Sequence, residues 1–208
     1  MRAKRSQKEI KRWWNSKRNL RWDKIYDGKS TDANVLKIRS NLVNSYLDSL
    51  QIKKGKILEL GFGGGQIALD ILKKGHLYKG IDVSSNFTKL AKRRCKKFVK
   101  NKKAVFKTGS IDKKLKFKSN SFDAVIAVGV FQYIENTDKI LKEIRRVLKP
   151  SSNFIWAQTN IYKIQKFFSL RSFLVRIYYL ISKNSFEISD SLQSLLFETS
   201  LKNIFSKK

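Results

Sequence analysis

Short apolar runs and amphipathic stretches alternate along the chain, which is the pattern of strands separated by helices. Residues 56–60 form an apolar run of strand length, and a helix predicted over residues 66–74 carries Ile67, Ile71 and Leu72 on one side. The same pattern predicts further strands at 77–82, 104–112 (with its exit loop), 123–128, 154–159 and 201–205, and further helices at 33–50, 86–100 and 138–148. This alternation predicts an α/β protein with a mostly parallel sheet.

Four glycines follow the first predicted strand, at positions 61, 63, 64 and 65. Glycine allows φ > 0 and lets a ligand lie against bare backbone, and the helix that begins at Gln66 offers free N–H groups. Strand, glycine turn and helix are the opening of a nucleotide-binding α/β unit. Because Gln66 stands where a dinucleotide fingerprint has its last glycine, the motif argues against NAD.

Acidic residues accompany the first two predicted strands. Glu59 lies near the end of the first strand, and Asp82 ends the second. Asp82 lies about twenty residues past the glycines, where such folds carry a ribose-binding carboxylate. The two acids and the glycine turn are therefore candidates for one nucleoside-binding site.

With these motifs the chain resembles the class I S-adenosylmethionine-dependent methyltransferases, in their type 11-like, small-molecule branch. ELGFGGG at 59–65 is similar to the cofactor motif of that family and GIDVS at 80–84 to its ribose motif. Residues 115–127 resemble its LPFxDxSFDxVI segment, and residues 143–150 resemble its ExxRVLKPGG segment.

The resemblance implies a Rossmann-like three-layer sandwich, with a mostly parallel sheet of six to seven strands and helices on both faces. It implies S-adenosylmethionine as the cofactor. The residues that it assigns to cofactor binding are Glu59, Gly61, Gly63, Gly65, Asp82, Val83, Ser110, Ile111 and Val128.

The loop after the third strand covers the adenine in the family that the chain resembles. Ile111 would cover the ring by contact. Ser110 stands where relatives often carry an acid that accepts the adenine amino hydrogen, and Asp112 follows two residues on.

The end of the fourth strand faces the cofactor's sulfur and the acceptor in those relatives. Gln132 and Tyr133 lie just beyond that end and are the candidate substrate residues here, although Tyr133 is as readily explained as a core residue. No NPPY or DPPY tetrapeptide is present, which argues against methylation of a base amino group. The sequence nominates no catalytic base.

A basic and aromatic segment, residues 1–30, precedes the predicted methyltransferase domain at residues 31–208. Its helix, predicted over residues 7–20, is either a platform for single-stranded RNA or a lid whose aromatic side chains pack on the domain. Residues 22–27 resemble the WDxxY segment that closes over the cofactor in small-molecule methyltransferases, which favours the lid and makes Trp22 and Tyr26 candidate substrate residues. A second aromatic and cationic segment, residues 161–181, is either an amphipathic helix that lies on a lipid surface or a lid or wall over the substrate pocket. Its four cations do not share one face at helical spacing, which favours the lid or wall.

The net charge is +30, from 46 lysines and arginines against 16 acids. Such a charge is typical of proteins that bind nucleic acid or an anionic membrane. However, the scarcity of proline, methionine and histidine also indicates a biased composition in which lysine is the default surface residue, and we prefer this interpretation.

One cysteine, Cys95, and one histidine, His76, leave no internal disulfide and no zinc site of the usual type. A reducing, cytoplasmic setting is expected. The N-terminus lacks the apolar region of a signal peptide, and no apolar run reaches transmembrane length, so no stable membrane insertion is expected. A length of 208 residues with 41% hydrophobic content suits one folded domain.

The reaction that the resemblance implies is direct in-line displacement of the sulfonium methyl group by a nucleophile on the acceptor. A small metabolite is the preferred acceptor. An RNA methyltransferase, suggested by the charge, and a non-catalytic binding protein with a cofactor fold, suggested by Ser110 and the missing base, stay open as alternatives.

Overall fold

A computed structural model describes residues 6–16, 28–29 and 31–157 of the chain. The helices in this part are α1 (Gln7–Trp14), α2 (Thr31–Ser49), α3 (Gln66–Lys73), α4 (Ser85–Arg94), α5 (Lys96–Lys100) and α6 (Thr137–Val147). The strands are β1 (Lys56–Leu60), β2 (Leu77–Asp82), β3 (Ala104–Thr108), β4 (Phe122–Val128) and β5 (Leu148–Ala157). Trp22, Tyr26 and the predicted segments at 161–181 and 201–205 lie outside the described residues.

The five strands form one sheet in the order β3-β2-β1-β4-β5, and every neighbouring pair is parallel. From β1 the chain builds outward to β3 and then resumes on the other side of β1 at β4. A parallel sheet has its ligand crevice where the strand order reverses, at the carboxyl ends of the strands. Here that crevice lies at the ends of β1 and β4. The predicted Rossmann-like fold is confirmed, and any sixth or seventh strand would fall outside the described residues.

Alternate residues of the central strands fill two hydrophobic cores, one on each face of the sheet. Ile57 and Tyr78 pack on one face against α2, α3 and α4, and Leu58 and Val125 pack on the other face against α6. Burial on both faces explains why β1 and β4 read as continuous apolar runs rather than alternating ones. The expected helices on both faces are therefore present.

The helix predicted over residues 86–100 is two helices. Ser84 caps the first, and its hydroxyl accepts a hydrogen bond from the backbone N–H of Phe87 at 3.2 Å. The break falls at Cys95, whose ψ of 24° leaves the helical region. There the buried thiol lies 4.0 Å from the carbonyl oxygen of Gly65, so this stretch packs directly on the glycine turn.

The helix predicted over residues 138–148 differs at both ends. Asn136 is its cap, because the Asn136 side chain accepts from the backbone N–H of Lys139 at 2.9 Å, and the helix begins at Thr137. The helix ends at Val147, one residue before the predicted end, since Leu148 is already extended and pairs with β4. Ser151, which replaces a glycine of the related motif, holds φ = 59°, a left-handed conformation that costs about 1–2 kcal/mol.

Candidate functional site

A cavity of about 230 Å³ lies at the carboxyl ends of the central strands, underneath α1. Its lining includes eight of the nine residues predicted to contact a cofactor and both Gln132 and Tyr133. Gly65 is the ninth residue and does not line the cavity, whereas its neighbour Gly64 does. The residues that sequence reasoning missed in the lining include Gln7, Ile10, Trp14, Leu36, Arg39, Phe62 and Phe87.

Two glycines of the turn are required for different reasons. Gly61 has φ = 76°, its N–H extends the β1–β2 ladder to the carbonyl of Ile81 at 2.7 Å, and an added Cβ would lie 2.9 Å from Val130. Gly65 has φ = 80°, and an added Cβ would lie 2.9 Å from the Cβ of Ala91 on α4. Gly65 is therefore needed for packing α3 against α4, whereas Gly61 faces the cavity.

Asp82 joins the end of β2 to the glycine turn. One carboxylate oxygen accepts from the N–H of Gly63 at 2.9 Å, and the other accepts from the N–H of Ser84 at 2.8 Å. Burial raises the pKa of Asp82 from 3.8 to about 6, although these two hydrogen bonds oppose the rise. Two carboxylate oxygens have about four acceptor positions, so the group can accept further hydrogen bonds from a ligand.

Glu59 is the second buried acid of the cavity, with 1% of its surface exposed. Burial raises its pKa from 4.5 to about 7; a hydrogen bond of 2.6 Å from the hydroxyl of Tyr78 lowers it, and the charge of Asp82 raises it further. Two acids whose pKa values are raised by burial beside one cavity are typical of a functional site.

The charge of the cavity is opposite to that of the chain. Among the described residues its lining holds three acids, Glu59, Asp82 and Asp112, and one cation, Arg39. The position of an added Cβ on Gly129, at the end of β4, lies 3.4 Å from an Nη atom of Arg39, so the guanidinium group lies over this backbone. In the sequence, Arg39 stands between Leu36 and Val43 on the apolar side of an amphipathic helix. A cation on that side is the feature from which the sequence could have indicated Arg39 as a site residue.

Helix α1 closes one side of the cavity through Gln7, Ile10 and Trp14. The Trp14 ring meets Tyr133 edge-on at 5.6 Å and Phe87 at 6.0 Å. The side-chain amide of Gln7 donates to the carbonyl oxygen of Tyr133 at 3.1 Å. Helix α1 thus covers part of the cavity, and Trp14 is its aromatic side chain in the lining, beside Tyr133 and Phe87 of the domain.

A hydrogen-bond cluster, which we call the Asn15 latch, fixes the C-terminal end of α1 to the N-terminal end of α4. The side-chain oxygen of Asn15 accepts from the hydroxyls of Ser84 and Ser85, both at 3.1 Å, and from the N–H of Asn86 at 3.3 Å. The side chain of Asn86 donates back to the carbonyl oxygen of Asn15 at 3.0 Å. The latch connects α1 to the residues that follow Asp82.

The loop after β3 supplies the other polar wall. Ile111 is buried, and the Ser110 hydroxyl accepts from the N–H of Asp112 at 3.2 Å. Asp112 also accepts from the N–H of Glu135 at 3.2 Å. Ser110 and Asp112 thus form one polar group beside an apolar side chain.

Gln132 and Tyr133 lie at the end of the cavity that β4 forms. Gln132 is exposed, and its side-chain amide donates to the carbonyl oxygen of Gly129 at 3.4 Å. Tyr133 is half-buried, lines the cavity and contacts the lid, which favours the pocket over the core interpretation for this residue. Trp22 and Tyr26 lie outside the described residues.

Comparison with protein families matches the sheet of this structure to a known domain, and α1 and α2 precede the matched residues. The family model of the methyltransferase domain matches residues 58–156, which run from β1 to the end of β5. The solved structure of the PH0226 protein from Pyrococcus horikoshii is similar over 62% of this chain and 58% of that one, with 28% identity and a TM-score of 0.52.

Curated relatives give similar matches. A demethylmenaquinone methyltransferase of Tropheryma whipplei is 27% identical over 157 residues, which are 66% of this chain. A sterol 4-C-methyltransferase of Caenorhabditis elegans is 31% identical over 98 residues, 47% of this chain and 29% of the relative. The matched region spans 63% of the length of the Tropheryma protein.

Proposed function

Since the chain belongs to the class I S-adenosylmethionine-dependent methyltransferases, we propose that it transfers a methyl group from S-adenosylmethionine to a small-molecule acceptor. The observation that carries this proposal is the acidic cavity of a chain whose net charge is +30. Dinucleotides and phosphorylated ligands are anionic, whereas a sulfonium cofactor is cationic at its reactive atom. A cavity lined by Glu59, Asp82 and Asp112 favours the cation.

The cavity residues fit the parts of this cofactor. Asp82 has acceptor positions left for the ribose hydroxyls, and the bare backbone of Gly61 and Gly63 lets the nucleoside lie close. Glu59 would bind the ammonium group of the methionyl end, and Arg39 would bind its carboxylate. The two charges of the methionyl end are thus matched by two residues of one cavity, Glu59 and Arg39.

The adenine ring would lie between apolar side chains, Ile111 on the β3 side and Phe87 on α4. Ser110 and Asp112 offer oxygen acceptors for the adenine amino group. They would replace the acid that relatives often carry at the position of Ser110. Val83, directly after Asp82, completes this end of the cavity.

When bound, S-adenosylmethionine supplies an activated sulfonium methyl group that any well-aligned nucleophile can take. Alignment therefore supplies much of the rate, and no nucleophile of the protein is needed. The residues of this chain orient the acceptor: Val128 and Gly129 end β4 at the reacting position, with Gln132 and Tyr133 beside it. The α1 lid would exclude water there.

A small apolar acceptor fits this site best. Ile10, Trp14, Leu36 and Tyr133 give the lid side an apolar surface, and the relatives named above act on demethylmenaquinone and on a sterol. The same surface gives no support to an RNA acceptor, because acids line the cavity and α1 covers it. At about 230 Å³ the cavity is smaller than the roughly 300–1,000 Å³ of most ligand pockets, so we expect α1 to shift when ligands enter.

Calorimetry with S-adenosylmethionine tests the first step, with NAD as the anionic comparison. We expect binding of the former and none of the latter. A chain that binds NAD, or neither ligand, would remove the proposal. The acceptor is then sought by incubating the chain with methyl-labelled cofactor and a cell extract, with and without ribonuclease, followed by separation of lipid, water-soluble and RNA fractions. Label that enters RNA and disappears with ribonuclease would reject the small-molecule assignment.

A further inference from the structure

One surface of the chain carries a charge pattern that the cavity does not explain. Residues 83–111 contain ten lysines or arginines and no acid. Eight of these cations are exposed along α4, α5 and the turn before β3, and we call this set the basic face: Lys89, Lys92, Arg93, Lys96, Lys97, Lys100, Lys102 and Lys103. None of the eight forms an ion pair with an acid among the described residues.

The helical cations share one side of their helices. Phe87, Ala91 and Cys95 are buried at a spacing of four residues, Ala91 and Cys95 in the core and Phe87 at the cavity. On α4 the cations at 89, 92 and 93 fall on the opposite side at 100° per residue, and the exposed cations at 96, 97 and 100 continue this outward stripe along α5.

Composition bias does not account for this face. Helix α2 has two acids for its two cations, Asp32 and Asp48 for Lys37 and Arg39, and α3 has one of each, Asp70 and Lys73. A lysine-rich background would act on all the helices alike. The absence of acids from one continuous surface is therefore a property of that surface.

We propose that the basic face is a docking surface for an anionic lipid bilayer. Seven of its eight cations are lysines, which act as point charges toward a diffuse layer of phosphates, whereas nucleic-acid sites favour arginine forks. Single-stranded RNA also requires exposed aromatic rings, and of the aromatic residues on α4 and α5, Phe87 is buried and Phe98 is half-buried. None of the described helices is long and apolar enough to cross a bilayer, so this docking is peripheral.

The basic face adjoins the lid. The Asn15 latch joins α1 to the first turn of α4, and α1 turns Lys8, Lys11 and Arg12 outward while Ile10 faces the cavity. A bilayer held by the basic face would thus lie close to the end of the cavity that α1 covers. An apolar acceptor dissolved in that bilayer would have a short path to the site; this consequence rests on the proposed function, whereas the docking does not.

The test is sedimentation of the full chain with two kinds of vesicle, phosphatidylcholine alone and phosphatidylcholine mixed with phosphatidylglycerol. The test variant replaces Lys89, Lys92, Lys96 and Lys100 by glutamine, and the matched control replaces Lys53, Lys73, Lys139 and Lys142, which are equally exposed, by glutamine. Both variants lose the same charge. A third variant with arginine at the four test positions keeps the charge.

We expect binding to the anionic vesicles only, and a loss of at least about tenfold in the test variant, since one cation near such a surface contributes about 1 kcal/mol, or roughly fivefold. The control and arginine variants should bind as the unchanged chain does. Equal loss in test and control variants would show that only net charge matters and would overturn the proposal. The proposal would also be overturned if polyuridine RNA removed the chain from the vesicles at equal phosphate concentration, because that result would assign the basic face to nucleic acid.

Discussion

The cavity and the basic face carry opposite charge although they share helix α4. At the start of this helix, Ser84 touches Asp82 and Phe87 lines the cavity. One turn later the exposed side carries only cations. Two surfaces of one helix, within about 15 Å of each other by helix geometry, are therefore built for ligands of opposite charge.

The difference between them lies in burial. Asp82 and Glu59 are 7% and 1% exposed, and burial raises the pKa of each carboxyl group. Keeping such acids costs stability, so their presence indicates a ligand that needs them. The lysines of the basic face are exposed and cost little folding stability. No single lysine is therefore informative, whereas their number and the lack of acids among them are.

The substitution Asp82→Asn should distinguish the cavity from the basic face most clearly, because it changes cofactor binding and not vesicle binding. The amide would present a donor to the N–H of Gly63 or of Ser84, and the ribose would lose a charged acceptor. We expect affinity for S-adenosylmethionine to fall roughly 10- to 100-fold, which corresponds to about 1.5–3 kcal/mol for hydrogen bonds to a charged group. Calorimetry measures this loss, and vesicle binding should not change.

The control for this variant is Asp138→Asn, an exposed acid in the first turn of α6. It removes the same charge at a residue that does not line the cavity and should leave affinity for the cofactor as it is. An Asp82→Asn chain that binds the cofactor as tightly as this control would remove Asp82 from the proposed site.

Substitution of two glycines of the turn by alanine separates an effect on cofactor binding, at Gly63, from an effect on helix packing, at Gly65. At Gly63, φ is 51° and an added Cβ meets nothing within 4 Å, so Gly63→Ala should cost about 1–2 kcal/mol of stability and weaken cofactor binding. At Gly65 the added Cβ would clash with Ala91, so Gly65→Ala should cost about 2–4 kcal/mol. Denaturant unfolding and calorimetry on both variants measure the two effects. A Gly63→Ala chain that binds normally would contradict the proposed approach of the ligand to this backbone.

The sequence predicts those parts of the site that are local in the chain. Glu59, the glycines and Asp82 stand at the ends of two strands that pattern alone identifies, and parallel strands bring such ends together. Tyr78 could not be found this way, because its hydroxyl meets Glu59 only through the β1–β2 register that pairs Ile57 with Tyr78. The Asn15 latch joins residues about 70 positions apart, and no local pattern encodes such a contact.

A rise in pH should lower the stability of the unliganded chain and raise its affinity for the cofactor. Because the folded pKa values of Asp82 and Glu59 lie above 3.8 and 4.5, the folded chain binds protons more tightly than the unfolded chain. The stability from this binding is present below pH 4 and is lost as the pH rises to about 7. Cofactor affinity should change in the opposite direction and increase as the pH rises through 6 to 7, since the carboxylates are then charged.

Thermal unfolding between pH 4.5 and 8 measures this effect in the unliganded chain. Burial lowers the pKa of His76, which acts in the opposite direction, so the comparison is made with a variant that carries both Glu59→Gln and Asp82→Asn and keeps His76. The two acids contribute the difference between the two pH profiles. Parallel profiles would mean that neither acid titrates as its burial implies.

The smallest expected effect belongs to Asn15→Ala, which acts on the connection between the two regions. The variant removes the acceptor for Ser84, Ser85 and the N–H of Asn86, and part of these hydrogen bonds is regained from water. A net loss of about 1 kcal/mol would shift α1 toward its open position by about fivefold. Cofactor should then associate and dissociate faster in stopped-flow fluorescence of the tryptophans, with a small change in affinity, because opening affects both rates. Asn41→Ala, an exposed asparagine on α2, is the control. If Asn15→Ala instead slowed the association of the cofactor, α1 would help to form the site rather than cover it. Vesicles would then be expected to act on cofactor binding through the basic face and not through the lid.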